Sequence, residues 1–211
     1  MEKKTHYVNF GMPKSATTWV YRQLVLNPAV DYSGVKEPDF DVLYDFDSYK
    51  DYNNQFEFSL NMNVELWSID SDLLSTLSTY ATHSSIIFRN PYEFVNSAVN
   101  YFKPNCSNDD YINFVIESSY LEYVGNVKRL KTYFPNMQVL VQDQITNDPQ
   151  GTMDRLTDYL GICSAPVDTT KANVTKYTDD VLFTKDNILT INKSIDEFVD
   201  YSGIDVEYWK R

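Results

Sequence analysis

Cysteine is scarce in this sequence, and long apolar runs are absent from it. The two cysteines, Cys106 and Cys163, lack the spacing of metal ligands, so we expect free thiols and no bound metal. No apolar run approaches the roughly 18 residues of a membrane helix. The first residues, MEKKTHY, also lack the apolar region of a signal peptide. These absences predict a cytoplasmic protein without a membrane partner.

Positive charge is also in short supply. The 211 residues contain 18 Lys and Arg against 30 Asp and Glu, which gives a formal net charge of −12. Nucleic acid would demand clustered Lys and Arg, and a long heparin-like polyanion would demand a basic groove hidden in the fold, so neither partner is favoured. A small anionic ligand must instead be held by a few focused positive side chains.

The segment from Tyr7 to Asn27 predicts an anion site. Val8 and Phe10 alternate with polar neighbours as in a strand, and Gly11 permits a sharp exit from it. A helix should follow, and its first backbone N–H groups have no partners within the helix, which suits an anion. The side chains that would add one ammonium and three hydroxyl groups are Lys14, Ser15, Thr17 and Thr18.

The spacing in this loop differs from Gly-x-x-x-x-Gly-Lys-Ser/Thr, the nucleotide-binding pattern. The run PKSATTW at residues 13–19 instead resembles the 5′-phosphosulfate loop of sulfotransferases, which bind 3′-phosphoadenosine 5′-phosphosulfate (PAPS). A lysine and N–H groups at this place suit the charge that builds on the leaving phosphate, so the resemblance implies a catalytic Lys14. It also implies that the cofactor is bound by Pro13, Lys14, Ser15, Ala16, Thr17, Thr18 and Trp19.

A second motif lies in the middle of the chain. The run SIIFR at residues 85–89 is typical of a buried strand that ends in a charge, and Asn-Pro then opens an amphipathic helix. Arg89 falls at the carboxyl end of this strand, where open α/β sheets place their ligands. Ser97 follows eight residues later, about two helical turns on. On these residues alone, the alternative is that Arg89 belongs to a helix cap or a surface ion pair.

Sulfotransferases carry a similar arrangement at their 3′-phosphate site. They place an arginine at a strand end, an Arg-x-Pro turn, and a serine eight residues after the arginine. The resemblance therefore implies that Arg89 and Ser97 bind the 3′-phosphate of PAPS.

Further matches extend the resemblance over most of the chain. KEPDF at 36–40 is similar to a Lys-Glu-x-His-Phe-like segment of glycan sulfotransferases, although Asp39 replaces the histidine. Residues 137–162 resemble a family strand-and-helix block, and residues 201–209 resemble the terminal helix and tryptophan of bacterial and glycan-type members. The glycine- and arginine-rich loop that closes over the nucleotide has no counterpart. The nearest basic residues are Lys171, Lys176 and Lys185.

The acceptor requires a base, and only two histidines are available. His6 opens the first predicted strand and His83 precedes the third, whereas small-molecule sulfotransferases would place a histidine around Trp67. By resemblance to glycan-type enzymes that use a glutamate, Glu37 is the candidate base. The alternative is that Glu37 and the lysine before it form a solvated pair ahead of a proline-forced turn. The substitutes for the base would be Asp39 and Asp41.

Strands and helices alternate along the chain, which predicts an α/β fold. We expect a single three-layer domain over residues 1–211, with a central parallel sheet and a P-loop-like strand–loop–helix for the phosphosulfate. Strands are predicted near 6–11, 30–34, 84–89 and 137–142. Helices are predicted near 16–27, 64–80, 91–102, 109–117, 120–134, 149–160 and 187–201. Residues 36–62 predict an irregular substrate loop, or a helix whose pattern is not resolved.

The resemblance implies a PAPS-dependent sulfotransferase that needs no metal and releases adenosine 3′,5′-bisphosphate (PAP). Its acceptor would be a hydroxyl, or as second choice an amine, of a glycan or small molecule. One alternative is a phosphotransferase that uses the same loop for ATP, which the missing Gly-Lys-Ser/Thr and Walker B acidic strand end disfavour. Another is a catalytically degenerate member that binds PAP or a glycan, which Asp39 and the missing basic loop favour.

Overall fold

The computed structural model describes residues 5–12, 14–30, 58–61, 71–102, 108–169 and 181–211. The strands in this part of the chain are β1 (Thr5–Asn9), β2 (Phe58–Asn61), β3 (His83–Phe88) and β4 (Gln138–Val141). They form one parallel sheet in the order β2–β1–β3–β4. The predicted α/β class with a parallel sheet is therefore confirmed.

Eight α-helices surround this sheet in the described residues. They are α1 (Thr17–Leu26), α2 (Ser71–Tyr80), α3 (Pro91–Phe102), α4 (Asn108–Glu117), α5 (Tyr123–Tyr133), α6 (Gln142–Asn147), α7 (Pro149–Leu160) and α8 (Lys185–Ser202). Single 3₁₀ turns lie at Ser119–Leu121 and Glu207–Trp209. None of the described helices is long and apolar enough to cross a bilayer.

The sheet buries side chains on both of its faces. Along β3, Ile86 and Phe88 belong to one apolar core and Ile87 belongs to another, because successive side chains of a strand point to opposite faces. The first core also contains buried residues of α2, α3, α5 and α8, whereas the second contains residues of α1 and α7. This is the arrangement expected of a sheet between two helical layers.

The described residues differ from the predicted elements at three places. Val30, at the start of the predicted strand 30–34, is not in a strand, and residues 31–34 lie outside the described residues. Strand β2, which pairs with β1, lies within the stretch 36–62 that was predicted to be irregular. A strand of four residues is too short to show a clear alternation of apolar and polar residues in the sequence. Strand β2 is therefore recognised by its pairing with β1. Helix α6 was also missed, since it has only six residues.

The C-terminal segment is attached to the carboxyl end of β4. Trp209 is 2% exposed, and its Nε1 donates to Oδ2 of Asp143 at 2.5 Å. The hydroxyl of Tyr208 donates to the same oxygen at 2.9 Å, although Tyr208 is 63% exposed. Partial burial and the Asp143 carboxylate together raise the pKa of Tyr208 to about 12.

We expect the tryptophan bond to contribute more to stability than the tyrosine bond. Trp209→Phe removes a buried donor to a charged acceptor and should lower the free energy of unfolding by about 1–3 kcal/mol. Tyr208→Phe removes a solvent-exposed donor to the same oxygen and should cost less than about 1 kcal/mol. Urea unfolding of both variants measures the difference. A loss for Tyr208→Phe as large as that for Trp209→Phe would contradict this ranking.

Candidate functional site

The chain leaves β1 through a loop that remains attached to β3. The N–H of Phe10 donates to the carbonyl of Ser85 at 2.9 Å, and the N–H of Met12 donates to the carbonyl of Ile87 at 3.0 Å. The N–H of Ile87 donates in turn to the carbonyl of Gly11 at 2.8 Å. The parallel ladder therefore continues past the end of β1, and it fixes the entry of the loop at the carboxyl edge of the sheet.

The loop then turns through backbone conformations that L-residues seldom adopt. Gly11 has φ of 81°, while Lys14 and Ala16 both have φ of 64°. A non-glycine residue in the left-handed region costs on the order of 1–3 kcal/mol and is characteristic of ligand sites. Left-handed residues interspersed in a turn also form the backbone concavities that bind anions. The conformation of residues 14–16 is thus suited to a phosphate or sulfate group.

Helix α1 begins directly after this turn. The N–H groups of Trp19 and Val20 donate to the carbonyl of Ala16, at 2.9 and 3.1 Å, and they form the first turn. The hydroxyl side chains around the helix start include buried Ser15 and Thr17 and half-buried Thr18. The first N–H groups of a helix and its dipole favour an anion at this end.

A buried polar network supports the loop from below. The Asn9 side chain accepts the Gly11 N–H through Oδ1 at 2.9 Å and donates through Nδ2 to Oγ of Ser85 at 2.7 Å. The Tyr7 hydroxyl is hydrogen-bonded to the same Oγ, and burial raises the pKa of Tyr7 to about 12. Sequence reasoning missed this network. Its signal was a pair of polar residues, Asn9 and Ser85, on neighbouring buried strands in register.

Arg89 connects the second motif to the first. Its side chain is 11% exposed, and Nη1 donates to the carbonyl of Lys14 at 3.0 Å. Nε and Nη2 donate to Oε2 of Glu93, at 3.1 and 3.0 Å. The backbone carbonyl of Arg89 accepts the buried Tyr123 hydroxyl at 2.6 Å. The structure therefore brings Arg89 and Lys14 together, and it also places Arg89 in an ion pair, which was one of the two alternatives for this residue.

The two cations influence each other at this place. Burial lowers the pKa of Lys14, and the positive charge of Arg89 lowers it further. Lys14 and Arg89 thus lie next to each other in a protein of net charge −12, although Glu93 offsets part of the charge of Arg89. An anion placed between them would relieve their repulsion, which is the electrostatic condition for binding a phosphate or sulfate.

Ser97 lies on α3 and its side chain is 1% exposed. Pro91 to Ser97 covers about 9 Å of helix, at roughly 1.5 Å per residue. Ser97 thus lies about two helical turns after Arg89 along the chain, on the buried side of α3.

The segment after α7 lies along α1. The carbonyl of Asp168 accepts Nε1 of Trp19 and Nε2 of Gln23, each at 3.0 Å. The N–H of Asp168 donates to Oε1 of Gln23 at 2.8 Å. The buried ring of Trp19 therefore attaches this segment to the helix that follows the candidate loop. Lys185, one of the basic residues near the expected nucleotide loop, is exposed at the first position of α8.

Several predicted site residues lie outside the described part of the chain. These residues are Pro13, Lys36, Glu37, Asp39, Asp41, Lys171 and Lys176.

Both histidines lie far from the candidate loop. His83 is the first residue of β3, whereas Arg89 follows its last, so roughly 20 Å separates them at about 3.3 Å per residue. His6 is near the start of β1. Nδ1 of His83 is hydrogen-bonded to Oγ1 of Thr82 at 2.9 Å, and its ring meets that of Tyr159 edge-on at 4.9 Å. Because the chain contains only these two, no histidine is placed at the loop.

No protein-family profile and no curated protein matches this sequence. Solved structures do match it. A sulfotransferase from Alicyclobacillus acidocaldarius is similar over 100% of both chains, with a TM-score of 0.67 and 14% identity. Mouse sulfotransferase SULT7A1 complexed with PAP is similar over 96% of this chain and 86% of its own, with a TM-score of 0.63 and 13% identity. This chain has the sulfotransferase fold.

A third solved structure is also similar to this chain. It is the sulfotransferase domain of the Synechococcus PCC 7002 olefin synthase, which matches 77% of this chain and 76% of its own, with a TM-score of 0.51 and 13% identity. The sulfotransferase fold confirms the predicted P-loop-like strand–loop–helix, whose described residues here are β1, residues 10–12 and 14–16, and α1. At 13–14% identity the likeness establishes the fold, and the roles of side chains rest on the contacts above.

Proposed function

We propose that this chain is a PAPS-dependent sulfotransferase, a single cytoplasmic domain over residues 1–211. Its acceptor is a hydroxyl, or as second choice an amine, of a glycan or small molecule. The observation that carries the proposal is the 3.0 Å hydrogen bond from Nη1 of Arg89 to the carbonyl of Lys14. This bond joins two sequence motifs that each resemble one phosphate site of the sulfotransferases. The mouse protein that shares the fold is itself complexed with PAP.

The two ends of the nucleotide are assigned to two groups of residues. The turn at residues 14–16 and the start of α1 hold the 5′-phosphosulfate, through backbone N–H groups and the hydroxyls of Thr17 and Thr18. Arg89 and Ser97 hold the 3′-phosphate. Trp19 contributes to the nucleotide site from α1, where its Nε1 also donates to the carbonyl of Asp168. PAPS is a co-substrate here, and it leaves as PAP.

Lys14 and Glu37 are assigned the chemical steps. An acceptor oxygen forms a bond to sulfur while the bond from sulfur to the bridging phosphate oxygen breaks, and the electron pair remains on the phosphate. Lys14 stabilises the negative charge that develops on that oxygen. Glu37 accepts the proton that the acceptor hydroxyl loses. The products are a sulfate ester, PAP and a protonated Glu37.

Ligand titration and turnover test the proposal separately. Calorimetry should show tighter binding of PAP than of ATP, and labelled PAPS with a panel of glycans and phenols should yield labelled product. Tighter binding of ATP, with phosphate transfer, would replace the proposal with a phosphotransferase. Binding of PAP without turnover on any acceptor would indicate a nucleotide-binding protein that lacks catalysis.

Arg89→Ala should selectively weaken PAP binding. Loss of a charge-assisted bond to the 3′-phosphate should cost about 1.5–3 kcal/mol. Adenosine 5′-monophosphate, which lacks that phosphate, is the matched control ligand. Its affinity should fall much less, because the variant affects it only through the lost Arg89–Lys14 loop contact. Calorimetry with both ligands measures the two losses, and equal losses would remove the assignment of Arg89 to the 3′-phosphate.

A further inference from the structure

Glu93 lies beside the proposed 3′-phosphate site and binds its arginine. Nε and Nη2 of Arg89 both donate to one oxygen, Oε2 of Glu93, at 3.1 and 3.0 Å. Glu93 is in the first turn of α3, where the helix dipole favours a carboxylate. The Arg89 side chain is 11% exposed and that of Glu93 is 53% exposed. The guanidinium is thus largely covered, while the carboxylate that neutralises it reaches solvent.

This contact uses one of the edges through which an arginine recognises phosphate. A guanidinium has five N–H donors and pairs with phosphate through two parallel bonds. The Nε–Nη2 edge of Arg89 is occupied by Glu93, and Nη1 donates to Lys14. A phosphate that pairs with the Nε–Nη2 edge must therefore displace Glu93, and one that binds elsewhere on the guanidinium lies next to a carboxylate.

The carboxylate of Glu93 opposes a phosphate in either case. A phosphate monoester carries about −1.5 to −2 charges at pH 7. Glu93 offsets the charge of Arg89 and repels any anion bound to the same guanidinium. Because Glu93 is half-exposed, solvent and salt reduce this effect without removing it.

We infer that Glu93 sets the affinity of the 3′-phosphate site by competing with the ligand for Arg89, and so limits how tightly the product PAP is held. The inference rests on the proposed function, since it requires that Arg89 binds the 3′-phosphate. It makes Glu93 an affinity-determining residue that acts through Arg89. A residue that merely oriented Arg89 for the phosphate would have the opposite effect when its charge is removed.

Glu93→Gln tests the inference because glutamine keeps the shape and an acceptor oxygen but loses the charge. PAP should bind this variant about two- to fivefold more tightly than the wild type at low salt. The gain should shrink at high salt, and adenosine 5′-monophosphate should show no gain. Asp200→Asn, which removes an exposed carboxylate from α8, is the control for net charge and should leave PAP affinity unchanged.

The outcomes separate this inference from the proposed function. Unchanged or weaker PAP binding by a folded Glu93→Gln variant, with normal binding by the wild type, would overturn the role of Glu93 alone. An equal gain for adenosine 5′-monophosphate or for Asp200→Asn would overturn it too, because the effect would then be one of overall charge. Absence of PAP binding by the wild type would overturn the proposed function together with the inference.

Discussion

Lys14→Ala should lower kcat for sulfuryl transfer by about 10²–10³-fold, the scale of removing one preorganised donor from a developing oxyanion. The KM for PAPS should change little. The interaction of Lys14 with the bridging oxygen strengthens as that oxygen gains charge, so most of its contribution belongs to the transition state. Steady-state kinetics on a verified acceptor, with PAP affinity measured by calorimetry, separate the two quantities.

The structure indicates that Lys14→Ala removes the ammonium group without disturbing the backbone of the loop. Lys14 has φ of 64°, and alanine at this position meets the same left-handed cost as lysine, since neither is glycine. Arg89 contacts the backbone carbonyl of Lys14, which the substitution retains. The loop should therefore keep its shape while it loses the ammonium group. Lys193→Ala, at an exposed position of α8, is the control for loss of one positive charge.

A raised KM with an intact kcat would contradict this assignment. Lys14 would then contribute equally to the ground state and the transition state, as a binding residue does. Lys14→Arg should retain more activity than Lys14→Ala because it keeps the charge. The longer planar guanidinium should still fall short of the wild type, because its fixed fork of donors does not reproduce the compact point charge of the ammonium group.

The strand–loop–helix of the candidate site could be predicted from the sequence because its signals are local. Alternation in residues 7–10, Gly11 at the exit and the apolar face of α1 all lie within one short segment. Arg89 was placed at the carboxyl end of β3 for the same reason. Since β1 and β3 are parallel neighbours, their carboxyl ends share one edge of the sheet, and Arg89 therefore reaches the Lys14 loop.

Features that depend on distant partners could not be predicted in this way. The edge strand β2 is recognisable only by its register with β1. The bond from Asn9 to Ser85 depends on the pairing of β1 with β3, and the bond from Tyr123 to the Arg89 carbonyl depends on how α5 packs. Local periodicity contains no information on which elements become neighbours. The hydrogen bonds that support the loop could therefore not be predicted from the sequence.

Glu37→Gln should lower kcat by about 10²–10⁴-fold, the range over which a general base contributes, while PAP binding remains nearly unchanged. Glutamine has the shape of glutamate but cannot accept the proton of the acceptor hydroxyl. The role of Glu37, which lies outside the described residues, remains a prediction from its sequence context. It is supported by the positions of His6 and His83, which lie at the amino ends of their strands. With both histidines at these positions, a carboxylate is the base that we propose.

The pH dependence gives this prediction a second measurement. A glutamate with a free pKa of about 4.3 is a weak base for an alcohol, so we expect partial desolvation to raise the pKa of Glu37. Activity should then fall as the pH drops through that raised pKa, because the carboxylate becomes protonated, and this acid limb should vanish in Glu37→Gln. Asp39→Asn and Asp41→Asn are the matched controls and should retain turnover. If Glu37→Gln keeps near-normal kcat while one of these two loses it, that aspartate is the base instead.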